Sequence, residues 1–100
     1  MFTITQGKGF SIQFENGYKI SVQFGTINYC KNASKDHLDH GTYKEFYKCE
    51  DAEIAIFKGD EFISLPLELR FDESDFAYDD VIGHCSADKV AHYINIISTL

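Results

Sequence analysis

The sequence GFSIQFENGYKISVQFG, residues 9–25, contains the clearest structural signal in this 100-residue chain. Apolar and polar side chains alternate on both sides of Asn16-Gly17. A two-residue period is typical of β-strands with one buried face, and Asn-Gly is a preferred turn sequence. This stretch therefore predicts a β-hairpin, against which the rest of the chain can be placed.

The length of the hairpin loop determines which side chains share a face. A two-residue loop would pair Phe14 with Lys19 and scatter the apolar side chains over both faces. A three-residue loop, Glu15-Asn16-Gly17, pairs Phe14 with Tyr18 and gathers these side chains on one face. The remaining pairs in this register are Ile12 with Ile20 and Phe10 with Val22. We predict the three-residue loop, with its glycine in the left-handed conformation that glycine adopts without steric penalty.

Residues 52–65, AEIAIFKGDEFISL, predict a second hairpin. A two-residue loop at Gly59-Asp60, with glycine first as a type II′ turn requires, joins its strands. The pairs in this register are Lys58 with Glu61, Phe57 with Phe62, Ile56 with Ile63 and Ile54 with Leu65. The alternation continues to Phe71, but Pro66 places this extension on a sheet edge or beyond a bend.

The C-terminal residues predict an α-helix that covers the apolar face of the sheet. Ser86 is a favourable N-cap, Gly83 precedes the start, and Asp88 lies in the first turn near the positive end of the helix dipole. An apolar stripe with helical spacing follows, made of Val90, Tyr93, Ile94 and Ile97.

Two segments leave alternatives open. Phe2 and Ile4 form either a short extra strand or an extension of the first hairpin strand through a kink at residues 7–9. Residues 31–48 are a polar connection of a length that is usually functional or contains its own structure. Three aromatic residues at helical spacing in this connection could hold a helical turn against the sheet: Tyr43, Phe46 and Tyr47.

Together these elements predict an α+β fold in a single domain, residues 1–100. Its antiparallel sheet has four to five strands built from the two hairpins, with the C-terminal helix packed on one face. A chain with 44% apolar residues and 15% aromatic residues can bury one modest core. The other face is left uncovered, and Phe57 and Phe62 should pair there, with Phe76 and Tyr78 nearby. Such an aromatic patch predicts a homodimer.

The net charge of −7 is unevenly distributed. Residues 1–48 contain six lysines and four carboxylates, whereas residues 49–100 contain twelve carboxylates and three basic side chains. Such a surface repels nucleic acid and attracts basic protein partners. Five carboxylates are concentrated in one loop and are candidate binding residues: Asp72, Glu73, Asp75, Asp79 and Asp80.

Composition also bears on the cellular compartment. No apolar segment is long enough to span a bilayer, and the first residues lack the apolar core of a secretory signal. Three cysteines without paired spacing favour reduced thiols. These features predict a cytoplasmic protein without membrane contact.

Thiols and imidazoles raise two further possibilities, a metal site and a catalytic site. The candidate residues are Cys30, His37, His40, Cys49, His84 and Cys85. Their spacings match no known zinc frame, so no metal and no other cofactor are predicted. The alternative function is a Cys-dependent hydrolase with Cys30 as nucleophile and His84 or His40 as base. It requires a hydrogen-bonded pair that spacing cannot demonstrate.

A wider combination of motifs carries a resemblance. The run GFSIQFENGYKISVQFGTINYC is followed by AEIAIF and then by a helix with Gly83, Ser86, Val90 and Ala91. This combination is similar to small proteins encoded by tailed bacteriophages, which carry a comparable F-x-N-G-x-x-x-S-V-Q-F/W-G-x-x-N-Y-C opening. Phe57 stands where these relatives have tryptophan. The resemblance implies a phage context and a bacterial host cell, and it supplies no catalytic residue.

The sequence therefore predicts a small, acidic, non-enzymatic phage protein that acts by binding and inhibits a host process such as antiviral defence. One mechanism uses the acidic second half against a basic host protein surface. The other encloses a small signalling molecule, between subunits. For this second mechanism the candidate residues are Asn28, Tyr29 and Cys30, which follow the first hairpin, together with residues 31–48.

Overall fold

The computed structural model of the protein describes residues 1–5, 9–33 and 48–100. Within these ranges, six antiparallel strands form one sheet and one α-helix packs on it. The strands are β1 (Phe2–Thr5), β2 (Gly9–Gln13), β3 (Tyr18–Gln23), β4 (Ala52–Lys58), β5 (Glu61–Ile63) and β6 (Val81–Cys85), and the helix is α1 (Ala87–Ile97). The predicted α+β fold is confirmed. The predicted helical turn at Tyr43, Phe46 and Tyr47 lies outside the described residues, as do His37 and His40.

The sheet follows chain order from β1 to β4, and both β5 and β6 then pair with the far edge of β4. β5 pairs with the C-terminal part of β4, from Ile56 to Lys58, and β6 pairs with the N-terminal part, from Ala52 to Ala55. Two short strands therefore share one edge. This sharing raises the strand count above the predicted four to five.

The register of the first hairpin is confirmed. Phe10 pairs with Val22 and Ile12 with Ile20, and the amide of Phe14 donates to the carbonyl of Tyr18 at 2.8 Å. Gly17 closes the three-residue loop with φ of 89°, a conformation that side chains other than glycine rarely adopt.

Asn16 ties the same turn to the end of the helix. Its Oδ1 accepts from the amide of Tyr18 at 3.0 Å, and its Nδ2 donates to the carbonyls of Ile97 and Leu100 at 2.8 and 3.0 Å. The last carbonyls of a helix have no partners within the helix, so this side chain satisfies groups that are otherwise left open. The hairpin turn and the C-terminal end of α1 are thereby joined.

The second hairpin is confirmed over its first three pairs, which are Lys58 with Glu61, Phe57 with Phe62 and Ile56 with Ile63. The predicted fourth pair is wrong, because Ile54 pairs with Ile82 of β6 and not with Leu65. The chain leaves the sheet before Pro66, and residues 67–69 form a 3₁₀ turn. Of the two alternatives for this extension, the position beyond a bend is the one observed.

The sequence does not predict β6, since of its residues only Gly83 is placed, before the start of the helix. A register shift lies between Ala52 and Ile54 where β6 pairs with β4. Gly83 allows a close approach at this point, because a Cβ there would lie 2.7 Å from the Cβ of Tyr29. β6 therefore depends on a glycine at the contact with the turn that follows β3.

At the opposite edge, the short extra strand is the alternative observed for the N-terminus. β1 pairs antiparallel with β2, with Phe2 opposite Ile12 and Ile4 opposite Phe10. Directly paired residues share a face of the sheet, so Phe2 and Ile4 point to the side that α1 covers.

The core lies between α1 and the helix-side face of the sheet. Tyr93 and Ile97 of the helix are fully buried against Ile20, Ile54 and Ile56. The predicted N-cap is confirmed: the hydroxyl of the serine before α1, Ser86, accepts from the amide of Lys89 at 3.1 Å. No helix within the described ranges is both long and apolar enough to cross a membrane.

Candidate ligand site at the junction of helix and sheet

The turn after β3 carries three of the predicted binding residues, Asn28, Tyr29 and Cys30. Asn28 is buried, and its Oδ1 accepts from the amide of Gly25 at 2.9 Å. The carboxylate of Glu53, in β4, accepts from the Asn28 side chain at 3.3 Å and from the Tyr29 amide at 2.8 Å. One carboxylate therefore fastens the whole turn to the sheet.

Tyr29 also connects the turn to β6. Its carbonyl accepts from the amide of His84 at 2.9 Å, and its side chain packs at Gly83 while the ring stays largely exposed. Asn28 and Tyr29 thus have structural partners, and the Tyr29 ring is the part that remains open to a ligand.

Asp51 is the centre of a polar cluster next to this turn. Its Oδ1 accepts from the amide of Lys31 at 2.7 Å, and its Oδ2 lies 3.0 Å from Nδ1 of His84. The thiol of Cys49 lies 3.6 Å from Oδ1 of Asp51. Burial alone would raise the pKa of the Asp51 carboxyl, but these hydrogen bonds outweigh it and lower that pKa below its ordinary value.

Cys30 lies beneath this cluster and is 2% exposed. Its thiol donates to the carbonyl of Gly25 at 3.4 Å. Burial is the main cause that raises the pKa of the Cys30 thiol to about 11; the backbone contact at Asn32 lowers it, and the neighbouring Cys49 and Asp51 raise it. Cys30 is therefore held as a neutral thiol at neutral pH.

An apolar cleft of about 320 Å³ opens beside the polar cluster, between α1 and the helix-side face of β2 and β3. Its apolar walls are formed by Phe10, Val22 and Phe24 of the sheet side and by Val90, Ala91 and Ile94 of the helix. One end is polar and is formed by Cys49, Glu50 and Asp51. We call this space the helix–sheet cleft.

The acidic loop, residues 72–80, contains the other five predicted binding residues. Its centre is Asp75, which is 5% exposed. The hydroxyl of Tyr93 and the ammonium of Lys89 donate to the Asp75 carboxylate, the latter at 2.9 Å, and the amide of Asp72 donates at 3.1 Å. Burial would raise the pKa of Asp75, but these donors more than compensate and lower it.

Of the five predicted binding carboxylates, Asp75 is therefore not open to a partner, because it is the buried anchor of its loop. Asp72 forms an ion pair with Lys89 at 2.8 Å, and Asp80 accepts from the hydroxyl of Ser64 at 2.9 Å. The exposed carboxylates that remain available to a partner are Glu73 and Asp79. Phe76 is also misplaced in the prediction, since its ring packs against Tyr93 on the core side and not beside Phe57 and Phe62.

Sequence reasoning missed the roles of Asp51 and Glu53, which hold the turn in place. From the sequence alone, a carboxylate near the start of a strand is expected to be solvated. The pairing of β3 with β4, in which Gln23 lies opposite Glu53, brings these carboxylates to the turn. Antiparallel pairing at that point places the residues after β3 beside the residues before β4.

Comparisons of this chain with protein-family models, with curated proteins and with solved structures found no match. The resemblance to small phage proteins therefore stays a prediction. Any function has to be argued from the helix–sheet cleft, the polar cluster and the acidic loop.

Proposed function

We propose that the protein is a binding protein that sequesters a compact ligand in the helix–sheet cleft. The observation that carries this proposal is the cleft itself, whose volume of about 320 Å³ and mostly apolar walls resemble those of small-molecule sites. Side chains of both the sheet and the helix form it, so its shape is set by the core packing of the fold.

The lining of the cleft indicates the class of ligand. The apolar walls suit an aliphatic or aromatic body, and the carboxylates of Glu50 and Asp51 suit a cationic or hydrogen-bond-donating group at one end. Lys31 forms an ion pair with Glu50, and a ligand cation would compete with it for that carboxylate. A net charge of −7 opposes a polyanionic ligand. In the phage context that the sequence suggests, such a ligand would be a host signalling molecule whose removal inhibits a process such as antiviral defence.

The state of Cys30 supports binding over the alternative of a Cys-dependent hydrolase. A catalytic cysteine needs an accessible thiolate and a lowered pKa. Cys30 is buried, and burial raises the pKa of its thiol to about 11. Nδ1 of His84 lies 3.0 Å from the carboxylate of Asp51, so this nitrogen is already hydrogen-bonded to Asp51.

A second candidate function is binding to a basic protein surface through the acidic loop. The observation that favours it is Tyr78, which is fully exposed next to Asp79. An exposed aromatic ring beside carboxylates on an anchored loop is suited to contact with a protein.

One experiment separates the two candidates. Ala91→Phe fills the helix–sheet cleft from the helix side, whereas Asn95→Phe adds the same ring at an exposed helix position outside it. Both proteins and the wild type are isolated from a bacterial host lysate, and the bound small molecules and proteins are identified by mass spectrometry. We expect a small molecule on the wild type and on Asn95→Phe that is missing from Ala91→Phe.

The same small molecules on all three proteins would contradict the cleft proposal. A basic protein that is captured by all three, and is lost when Glu73 and Asp79 are changed to Gln and Asn, would support the acidic loop instead.

Direct binding is checked with benzamidine and benzoate, two compact aromatic probes of opposite charge. Chemical shift changes at the amides of Val90 and Ala91 should occur with benzamidine and not with benzoate.

A further inference from the structure

We propose that Cys30, Cys49 and Asp51 form a binding site for a thiophilic divalent cation of the zinc class. One ligand atom of each of these residues, two thiol sulfurs and a carboxylate oxygen, lies within 4.8 Å of the others. The proposed site shares Cys49 and Asp51 with the polar end of the helix–sheet cleft, and the proposal does not rest on the sequestration function.

The fold brings these three residues together although their spacing in the sequence gives no sign of it. Cys30 follows β3, and Cys49 and Asp51 precede β4. Because β3 and β4 pair antiparallel, with Gln23 opposite Glu53, the end of one strand lies beside the start of the other. Eighteen residues separate the two cysteines, so the usual short Cys-x-x-Cys frame is absent. The prediction of no metal depended on that frame.

Two of the three ligands are already held in place. The sulfur of Cys30 is held by burial in the turn after β3, and the thiol proton that now bonds the carbonyl of Gly25 would leave on binding. The carboxylate of Asp51 is oriented by the amide of Lys31 and by the imidazole of His84. Hydrogen bonds to a ligand from groups outside the coordination sphere are typical of metal sites, where they orient the ligand atoms.

The donor set indicates the class of cation. On binding, the cation displaces the protons of both thiols to solvent. The resulting two thiolates with one carboxylate favour zinc and similar thiophilic ions over calcium or magnesium, which prefer all-oxygen sites. Tetrahedral zinc, with bonds of about 2.0–2.3 Å, places its ligand atoms about 3.3–3.8 Å apart. The sulfur of Cys49 and Oδ1 of Asp51 are already 3.6 Å apart, within this range, and the whole cluster lies within 4.8 Å. The fourth position would be taken by water.

Cobalt titration of the full-length, reduced and metal-free chain tests the site. Co²⁺ replaces Zn²⁺ in thiolate sites and gives a thiolate-to-metal absorption band that oxygen-only sites lack. We expect this band to saturate at one equivalent of Co²⁺ and to disappear when Zn²⁺ is added. Cys49→Ser should abolish it. His84→Ala should weaken the affinity about tenfold to a hundredfold, because His84 orients Asp51.

Cys85→Ser is the matched control, since Cys85 is a buried thiol outside the cluster. It should leave the cobalt band unchanged. No band with the wild type, or a band lost equally in Cys85→Ser and Cys49→Ser, would overturn the proposal. If Cys49→Ser does not fold, alkylation of the wild type decides: Zn²⁺ should protect Cys49 from iodoacetamide, and equal labelling with and without Zn²⁺ would overturn it.

Discussion

At the scale of single residues, the anchor of the acidic loop is the clearest case of a charge with a structural role. Asp75 accepts hydrogen bonds from Tyr93 and Lys89, and the ring of Tyr93 is fully buried in the core. Burial and the bond to Asp75 raise the pKa of Tyr93. Burial alone would lower the pKa of Lys89, but its bonds to Asp72 and Asp75 raise it. The loop is therefore locked to α1 from within.

We expect Asp75→Asn to destabilise the protein by about 1–3 kcal/mol near neutral pH, because the buried network loses its negative charge and one of its two acceptor oxygens. The pKa of Asp75 is lower in the folded chain than its ordinary value of 3.8. The stability that the carboxylate contributes is thus complete above that value and is lost as the pH falls through the lowered pKa. The difference in the free energy of unfolding between the wild type and Asp75→Asn, measured by urea denaturation, should therefore become smaller at acidic pH.

Asp79→Asn is the control for this prediction, since it removes an exposed carboxylate of the same loop. Its effect should be a few tenths of a kcal/mol at most. If the difference in unfolding free energy between the wild type and Asp75→Asn does not change with pH, the hydrogen bonds to Asp75 do not lower its pKa as proposed.

The sequence could not distinguish Asp75 from its neighbours. In DESDFAYDD every carboxylate has the same local surroundings of polar and aromatic residues. Asp75 is buried because Tyr93 and Lys89, on a helix that begins twelve residues later, face it in the folded chain. The same limit applies to Cys30, Cys49 and Asp51, which only the pairing of β3 with β4 brings together.

At the scale of elements, local signals were sufficient where a turn and its strands are continuous in sequence. Both hairpins and the N-cap of α1 depend on residues within about twenty positions of one another, and all three were predicted. β6 was missed because VIGHC is too short to show an alternation, and because its partner on β4 lies more than twenty residues away. The alternation after Pro66 is misleading for the opposite reason. The apolar pattern continues to Phe71, but residues 67–69 form a 3₁₀ turn and do not pair with the sheet.

The three-residue loop can be tested by Gly17→Val. Gly17 has φ of 89°, and a Cβ at this position would meet no other atom within 4 Å. The cost is therefore conformational and not steric, and we expect a loss of roughly 1–2 kcal/mol in the free energy of unfolding. Glu15→Val is the control, because it places the same side chain at an exposed position of the same loop with ordinary φ. Equal losses for the two variants would contradict the assigned turn.

At the scale of the whole molecule, the apolar surface is distributed differently from the prediction. Phe57 and Phe62 do pair on the uncovered face, with ring centroids 4.4 Å apart. The ammonium of Lys19 lies 4.5 Å from the centre of the Phe57 ring and covers it, and Phe62 is 52% exposed. Phe2 and Ile4 are more open, with exposures of 79% and 85%. Of these two places, β1 therefore carries the more exposed apolar side chains.

The predicted homodimer therefore belongs, in our proposal, at β1. This strand is an edge of the sheet, it carries no charged side chain, and its two apolar residues face the side of α1. Edge strands of this kind pair readily with a second strand, and natural proteins usually protect them with charges or proline. Antiparallel pairing of two β1 strands would continue the sheet and bury Phe2 and Ile4 between subunits.

Ile4→Lys should convert a dimer to a monomer in sedimentation equilibrium at micromolar concentration, while Phe62→Lys should not. A wild-type mass of one chain would exclude the dimer. If Phe62→Lys dissociates the dimer and Ile4→Lys does not, the interface lies on the Phe57–Phe62 face and not at β1.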